Sequence, residues 1–295
     1  MIIRILVIPT DWKEEASQTL ARLNRIQFCY FFIVQSELES SKLMLESLSI
    51  LLNRYQADSC LWIIPFEDGK SLEVKQWPSL ISSYEKRSWV NGFFPARNWV
   101  EVANRLIEFE NSNLKIPNII NVTCQYEFVY TNLLDDWERE GARSIHPGDY
   151  FKSDFLDEFS KFTGDWVYFG HAEGDRLRGY GHLEINDLIK HHPPRSLNLT
   201  LWFTCSTLDP NVDPSIGICW FMSGATFALL ASAFKISTYS NQLLSKAWIM
   251  ASKSCKSTSI ASVILQIYHS EPDLYTKVLS QYSLLGFPWV DGKWA

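Results

Sequence analysis

Short apolar runs alternate along this chain with amphipathic stretches. Ile2–Ile8 is a continuous apolar run of strand length, and Asp11–Asn24 follows it with Ala16, Leu20 and Leu23 on one helical face. The order then repeats: Phe28–Val34 predicts a second buried strand, Leu43–Tyr55 an amphipathic helix, and Ser59–Ile64 a third strand stopped by Pro65. Residues 67–76 are polar and loop-like, and residues 77–89 carry no clear period. Trp99–Glu110 predicts a helix, and the polar stretch 111–117, ending in proline, marks a boundary between two halves, 1–114 and 115–295. The second half opens with a strand at Ile119–Thr123 and two helices, Phe128–Glu140 and Tyr150–Phe162. It closes with helices at Asn241–Lys253, Ser257–Tyr268 and Pro272–Tyr282, and an aromatic tail from Gly286. Strands alternating with helices predict an α/β fold with a mostly parallel sheet, or two, covered by helices.

Between those helices lies the stretch that bears chemistry, Asp165 to Asp209. Two apolar runs, Trp166–Phe169 and Leu197–Phe203, suit buried strands, and a short helix at Asn186–His191 sits between them before Pro193-Pro194. The first run stops at Gly170-His171, the second at Thr204-Cys205-Ser206. Strand, helix, strand predicts a right-handed crossover and two neighbouring parallel strands, so His171 and Cys205 would leave the same carboxyl edge. An imidazole beside a thiol can take its proton and leave a nucleophilic thiolate. A packed cysteine and a hydrogen-bonded loop histidine would leave the same pattern.

The run Tyr168-Phe169-Gly170-His171, then Leu183–Leu188, then Leu201–Ser206 resembles the caspase-hemoglobinase class of cysteine peptidases, most closely its gingipain-type (C25-like) and CHAT branches. Phe94-Pro95-Ala96-Arg97 and the helix after it resemble the stretch that precedes the catalytic half of gingipain-type enzymes. The resemblance implies two α/β halves, a Cys205/His171 dyad, and an oxyanion hole from the backbone N–H groups of Cys205 and Ala172, with Gly170 allowing close approach. The family usually has glycine after its histidine. Alanine at 172 keeps the N–H but fits a left-handed backbone less easily. Some peptidases of this class choose a basic residue before the cut with a carboxylate, which makes Glu173, Asp175, Asp209 and Asp213 candidates for a substrate pocket. Glu173 and Asp175 are also the nearest acids in sequence that could orient His171.

Composition narrows the field. With 295 residues, 12 Trp and 18 Phe the chain can bury a large core, and 20% charged residues is too few for disorder. A net charge of −6 with no basic run argues against nucleic acid as a partner. The six cysteines have neither disulfide-framework nor zinc spacing, His191-His192 lacks further ligands, and no metal or other cofactor is expected. His182, flanked by glycines, reads as a turn residue. Gly179–Gly181 follows no nucleotide-binding turn, and Gly-x-Ser-x-Gly is absent. The uncharged stretch from Ser215 has the hydropathy of a membrane span, but Gly217, Ser223 and Gly224 break it into helix, turn and strand. The amino terminus is too short and strand-like for a signal peptide, so the chain reads as cytoplasmic.

The resemblance, taken with the placing of Cys205 and His171, therefore implies an intracellular cysteine endopeptidase that cuts a protein or peptide substrate through a thioester, in a regulatory or defence role. Two other readings stay open. One is a catalytically silent module that keeps the fold for binding, and the other a subunit of a sensor assembly that a protein partner activates.

Overall fold

The computed structural model describes residues 2–23, 28–35, 41–66, 77–112, 119–212, 215–255 and 257–292. The polar stretch 67–76 and most of the expected boundary at 111–117 lie outside them, as does Asp213. One sheet of eleven strands organises the described residues.

Its first block is parallel: β1 (Ile2–Pro9) lies between β2 (Phe28–Gln35) and β3 (Ser59–Pro65), and β3 pairs with β5 (Arg87–Ala96). The short β4 (Ile81–Tyr84) folds back antiparallel on β5. The second block is also parallel and includes β6 (Ile120–Cys124), β7 (Arg143–Ile145), β8 (Asp165–Phe169), β12 (Leu197–Phe203) and β13 (Thr226–Ser232), in the spatial order β13-β12-β8-β6-β7. Between the blocks runs β14 (Tyr282–Gly286), parallel to β5 and antiparallel to β13. The two blocks therefore point in opposite directions. Their carboxyl edges open on opposite sides of one continuous sheet.

β8, β12 and β13 are buried along their whole lengths, as near-continuous apolar strands with both faces covered must be. Helices α4 (Phe128–Glu138) and α8 (Thr238–Ser254) cover one face, where Trp137 and Trp248 pack on Phe169 and Phe203. Helices α5 (Lys152–Phe159) and α7 (Ile216–Met222) cover the other, where Phe159 and Trp220 meet Trp166. The indoles explain two polar residues inside strands. Trp166 Nε1 donates to Thr123 Oγ1 at 2.8 Å and Trp220 Nε1 to Thr200 Oγ1 at 3.3 Å, so each buried N–H has an acceptor.

Two features join the blocks. Gly286, at the end of β14, has φ +87°, and a Cβ there would stand 2.1 Å from the Phe227 carbonyl oxygen, so only glycine fits this closely packed seam. Arg105, on α3 (Trp99–Ser112) of the first half, reaches into the second. Its guanidinium donates to Ser196 Oγ at 2.7 Å and to the carbonyls of Gly224 at 2.7 Å and Thr226 at 2.6 Å, and it lies 4.4 Å from the Phe227 ring centre. Burial lowers its pKa, opposed by Glu108 beside it.

One prediction needs correction, and further strands appear. Residues 272–282 hold a short helix, α10 (Pro272–Lys277), and one 3-10 turn before the chain enters strand β14. The unassigned region 77–89 supplies β4 and the first residues of β5, a central strand. Between the two helices expected at 128–140 and 150–162 lies the edge strand β7. The uncharged stretch from Ser215 folds as predicted, into α7, a turn and β13, and no helix among the described residues is long and apolar enough to cross a membrane.

Candidate active site

Phe169 and Phe203 share a rung where β8 and β12 lie side by side in parallel, and their rings stack at 5.2 Å. His171 and Cys205 each follow that rung by two residues. They leave the same edge of adjacent strands, and both stay partly open to solvent, with 39% of the His171 side chain exposed.

The chain around His171 is held by the neighbouring strand. Its N–H donates to Gln125 Oε1 at 2.9 Å, just past β6, and its carbonyl accepts from Arg178 N–H at 3.0 Å. Tyr130 on α4 meets the imidazole edge-on at 5.7 Å between ring centres. Glu127 stands 3.7 Å from Nε2. Gly170 is required by a close approach, because a Cβ there would lie 2.5 Å from the Tyr168 hydroxyl, which accepts the Gly179 N–H at 2.8 Å. That bond folds the loop after His171 back over β8.

The loop forms a small antiparallel sheet of β9 (Ala172–Glu173), β10 (Arg176–Leu177) and β11 (Leu183–Glu184). Because His171 and Arg178 are a hydrogen-bonded pair, the next rung, Ala172 opposite Leu177, is a non-bonded one. The N–H and C=O of Ala172 thus both point away from β10. On that side lies Cys205, whose Sγ donates toward the Ala172 carbonyl at 3.6 Å. Ala172 takes an extended backbone, so its methyl group brings no left-handed strain. The left-handed residue is instead Ser206, φ +55°, whose N–H donates to the Phe234 carbonyl at 2.9 Å and turns the chain sharply after Cys205.

Other cysteines differ. Burial raises the thiol pKa of Cys60, and it raises that of Cys124 to about 12, so both stay protonated at neutral pH. Cys205 is partly exposed and leaves the same strand edge as His171.

Three of the acids suggested by sequence have partners of their own among the described residues. Glu173 is ion-paired with Arg178 and with Arg176 at 3.0 Å, and the hydrogen bond from Arg178 holds its carboxyl below the usual range. Asp175 faces Arg176 at 3.2 Å, and Asp209 accepts from the backbone and side chain of Asn211 at 2.9 and 2.8 Å. The carboxylate brought to His171 is Glu127, which sequence reasoning missed along with Gln125 and Tyr130. A signal existed: polar residues directly past the strand Ile119–Thr123 belong to the same edge if that strand neighbours β8.

His182 sits in a left-handed turn, φ +68°, after Tyr180 and Gly181. His191 ends α6 (Ile185–Lys190), and His192 Nδ1 is 2.6 Å from the Pro193 carbonyl oxygen, at the far edge of β12 from Cys205. At that far edge an open cavity of about 490 Å³ is lined by Arg105, Glu108, His192 and Arg195, among others. On the outside of α4, ligand atoms of Asp135, Glu138 and His146 lie within 4.8 Å of one another, an arrangement exposed carboxylates often show without an ion.

No protein-family profile matches this sequence. No curated protein matches it by sequence either. Solved structures do match its fold. The complex of the pro- and mature domains of Porphyromonas gingivalis RgpB aligns over 97% of this chain and 79% of its own, with TM-score 0.72 and 12% identity. The crystal structure of the Arg-specific cysteine proteinase gingipain R aligns over 98% and 78%, with TM-score 0.68 and 10% identity. A third structure, described as a protease, aligns over 98% and 78%, with TM-score 0.74 and 11% identity. This chain thus has the gingipain fold, of the caspase-hemoglobinase type, over nearly its whole length.

Proposed function

We propose that this chain is a cysteine endopeptidase acting on a protein or peptide substrate through Cys205 and His171. The observation that carries the proposal is the shared rung at Phe169 and Phe203, which sends the thiol and the imidazole off one edge of adjacent strands. The gingipain fold supports it, since one matching structure is named as an Arg-specific cysteine proteinase.

Cys205 Sγ attacks the carbonyl carbon of the scissile bond while its proton passes to His171. The new C–S bond leaves a tetrahedral oxyanion, for which Ala172 N–H and Cys205 N–H are the donors. Such donors contribute about 3 kcal/mol of transition-state stabilisation each. His171 then gives its proton to the leaving amine, the C–N bond breaks, and a thioester remains. Water, deprotonated by His171, hydrolyses the thioester and restores the thiol. Glu127, in place of Glu173 or Asp175, favours the imidazolium that forms twice in the cycle. Only side chains and backbone amides of this chain are needed, and no cofactor.

The test compares the wild type with Cys205→Ala on a pool of fluorogenic peptides, with labelling by a peptidyl electrophile in parallel. Cleavage and labelling that both vanish in Cys205→Ala are expected. A folded wild type that neither cleaves nor labels would move the assignment to a binding module.

A further inference from the structure

Among the described residues, exposed aromatic rings occur at one edge only. The five are Tyr126, Phe128, Phe151, Phe234 and Tyr239, from 44% exposed at Phe234 to 83% at Phe128. Tyr126 and Phe128 follow β6, Phe151 follows β7, and Phe234 and Tyr239 follow β13. All leave the carboxyl edge of the second block, the edge that also bears His171 and Cys205. The other exposed large apolar residues are not aromatic, and include Ile50, Val100 and Met250 on helices elsewhere. Scattered exposed apolar side chains are ordinary on a protein surface, but a ring of aromatics on one functional edge is not.

Backbone and neighbouring residues link three of these positions to the candidate pair. The Phe234 carbonyl accepts the N–H of Ser206, next to Cys205. Phe128 adjoins Glu127, which faces His171. Tyr239 adjoins Thr238, whose hydroxyl lies 3.1 Å from that of Tyr130, the residue packed on the imidazole. Of the candidate acids, Glu173 and Asp175 are paired with arginines and Asp209 with Asn211, while Asp213 lies outside the described residues. Beside the charges of Glu127 and Arg178 the edge presents apolar, rigid ring surface, which binds apolar side chains and peptide planes at low cost in conformational entropy.

We infer that this aromatic rim is the substrate-docking surface, and that its occupant is an extended polypeptide with aromatic or branched aliphatic side chains flanking the bond presented to Cys205. The inference rests on Cys205 being the nucleophile, and continuity of the rim with that residue identifies the occupant.

The experiment measures binding and cleavage separately. Full-length Cys205→Ala is titrated into labelled short peptides rich in Phe and Leu, and into matched peptides rich in Arg and Lys, read by fluorescence anisotropy. The same titration is run on Cys205→Ala combined with Phe128→Ser, Phe151→Ser and Tyr239→Ser, whose exposed positions leave the fold intact, checked by an unchanged Tm. Wild-type kcat/KM on both peptide sets completes it. The expected result is a preference of about tenfold or more for the apolar peptides, lost in the rim variant. Apolar, rim-dependent binding with neither wild-type cleavage nor labelling of Cys205 would leave the rim as a peptide-binding surface but overturn the peptidase assignment and, with it, the substrate role inferred for the rim. Preference for the basic peptides, or binding indifferent to the rim substitutions, would overturn the docking surface and leave the peptidase assignment to its own test.

Discussion

The two blocks of this sheet are built alike and differ in what they carry at their carboxyl edges. In the first, β1, β3 and β5 run out into Pro9-Thr10, Pro65-Phe66 and Ala96-Arg97. In the second, β6, β8 and β12 run out into Gln125 and Glu127, His171, and Cys205. Parallel packing produces such an edge wherever strands end together, but it supplies position, not reactivity. Because β14 reverses the direction at the seam, the two edges face opposite ways, and the carboxyl ends of the first block lie away from His171 and Cys205.

The sharpest way to break this comparison is to remove the reacting pair. His171→Ala should lower kcat/KM on a cleaved peptide by about a thousandfold or more without changing the Tm, since the side chain is partly exposed. Arg97→Ala, at the other block's edge, should leave the rate unchanged. If both substitutions slow cleavage alike, the division between the edges fails.

The seam comes next. Gly286→Ala should cost about 3 kcal/mol or more in urea unfolding, because the added methyl meets a carbonyl oxygen and the backbone is left-handed. Arg105→Met keeps the aliphatic stem but removes the donors to Ser196 and to the Gly224 and Thr226 carbonyls, for an expected loss of about 2 kcal/mol. A stability unchanged by both would show that the blocks are not coupled through β14 and α3.

Within the reactive edge, Glu127→Gln should lower kcat/KM roughly tenfold with an unchanged Tm, while Asp175→Asn should have no effect. The reverse order would restore the loop acids as partners of His171. The smallest effect separates two indoles in the core. Trp202 Nε1 is buried without a partner, so Trp202→Phe should change stability by less than about 1 kcal/mol. Trp166→Phe, which removes a donor from Thr123, should cost more, as chemical denaturation will show.

Much of this was legible before any coordinates. β8 and β12 announce themselves as apolar runs bounded by turns, and the helix between them makes them parallel neighbours, so the placing of His171 and Cys205 followed from local pattern and chain length. β5 did not announce itself, because Asn91, Gly92 and Pro95 interrupt it. Asn91 is buried there because its carbonyl oxygen accepts from Trp62 at 3.0 Å and Trp89 at 3.1 Å, and its amide donates to Ser79 and Ser82 at 2.7 Å. Gly92 gives Gly286 room to approach, and Pro95 lies beyond the stretch paired with β14. β14 itself, Tyr282–Gly286, is five residues with no period of its own, and its strand state comes from the two neighbours it joins.

The sequence by itself therefore determined the α/β class, the crossover that brings thiol and imidazole to one edge, and the break at Ser223-Gly224 that divides an apolar stretch into a helix and a strand. These rest on hydrophobic period, turn residues and chirality, which act over a few tens of residues. Only the tertiary structure decided that β14 closes the seam, that Glu127 and not Glu173 faces His171, and that the exposed aromatic residues follow strands of the block that bears Cys205. Each of these depends on which strands lie side by side, and strand order is set by burial across the whole sheet.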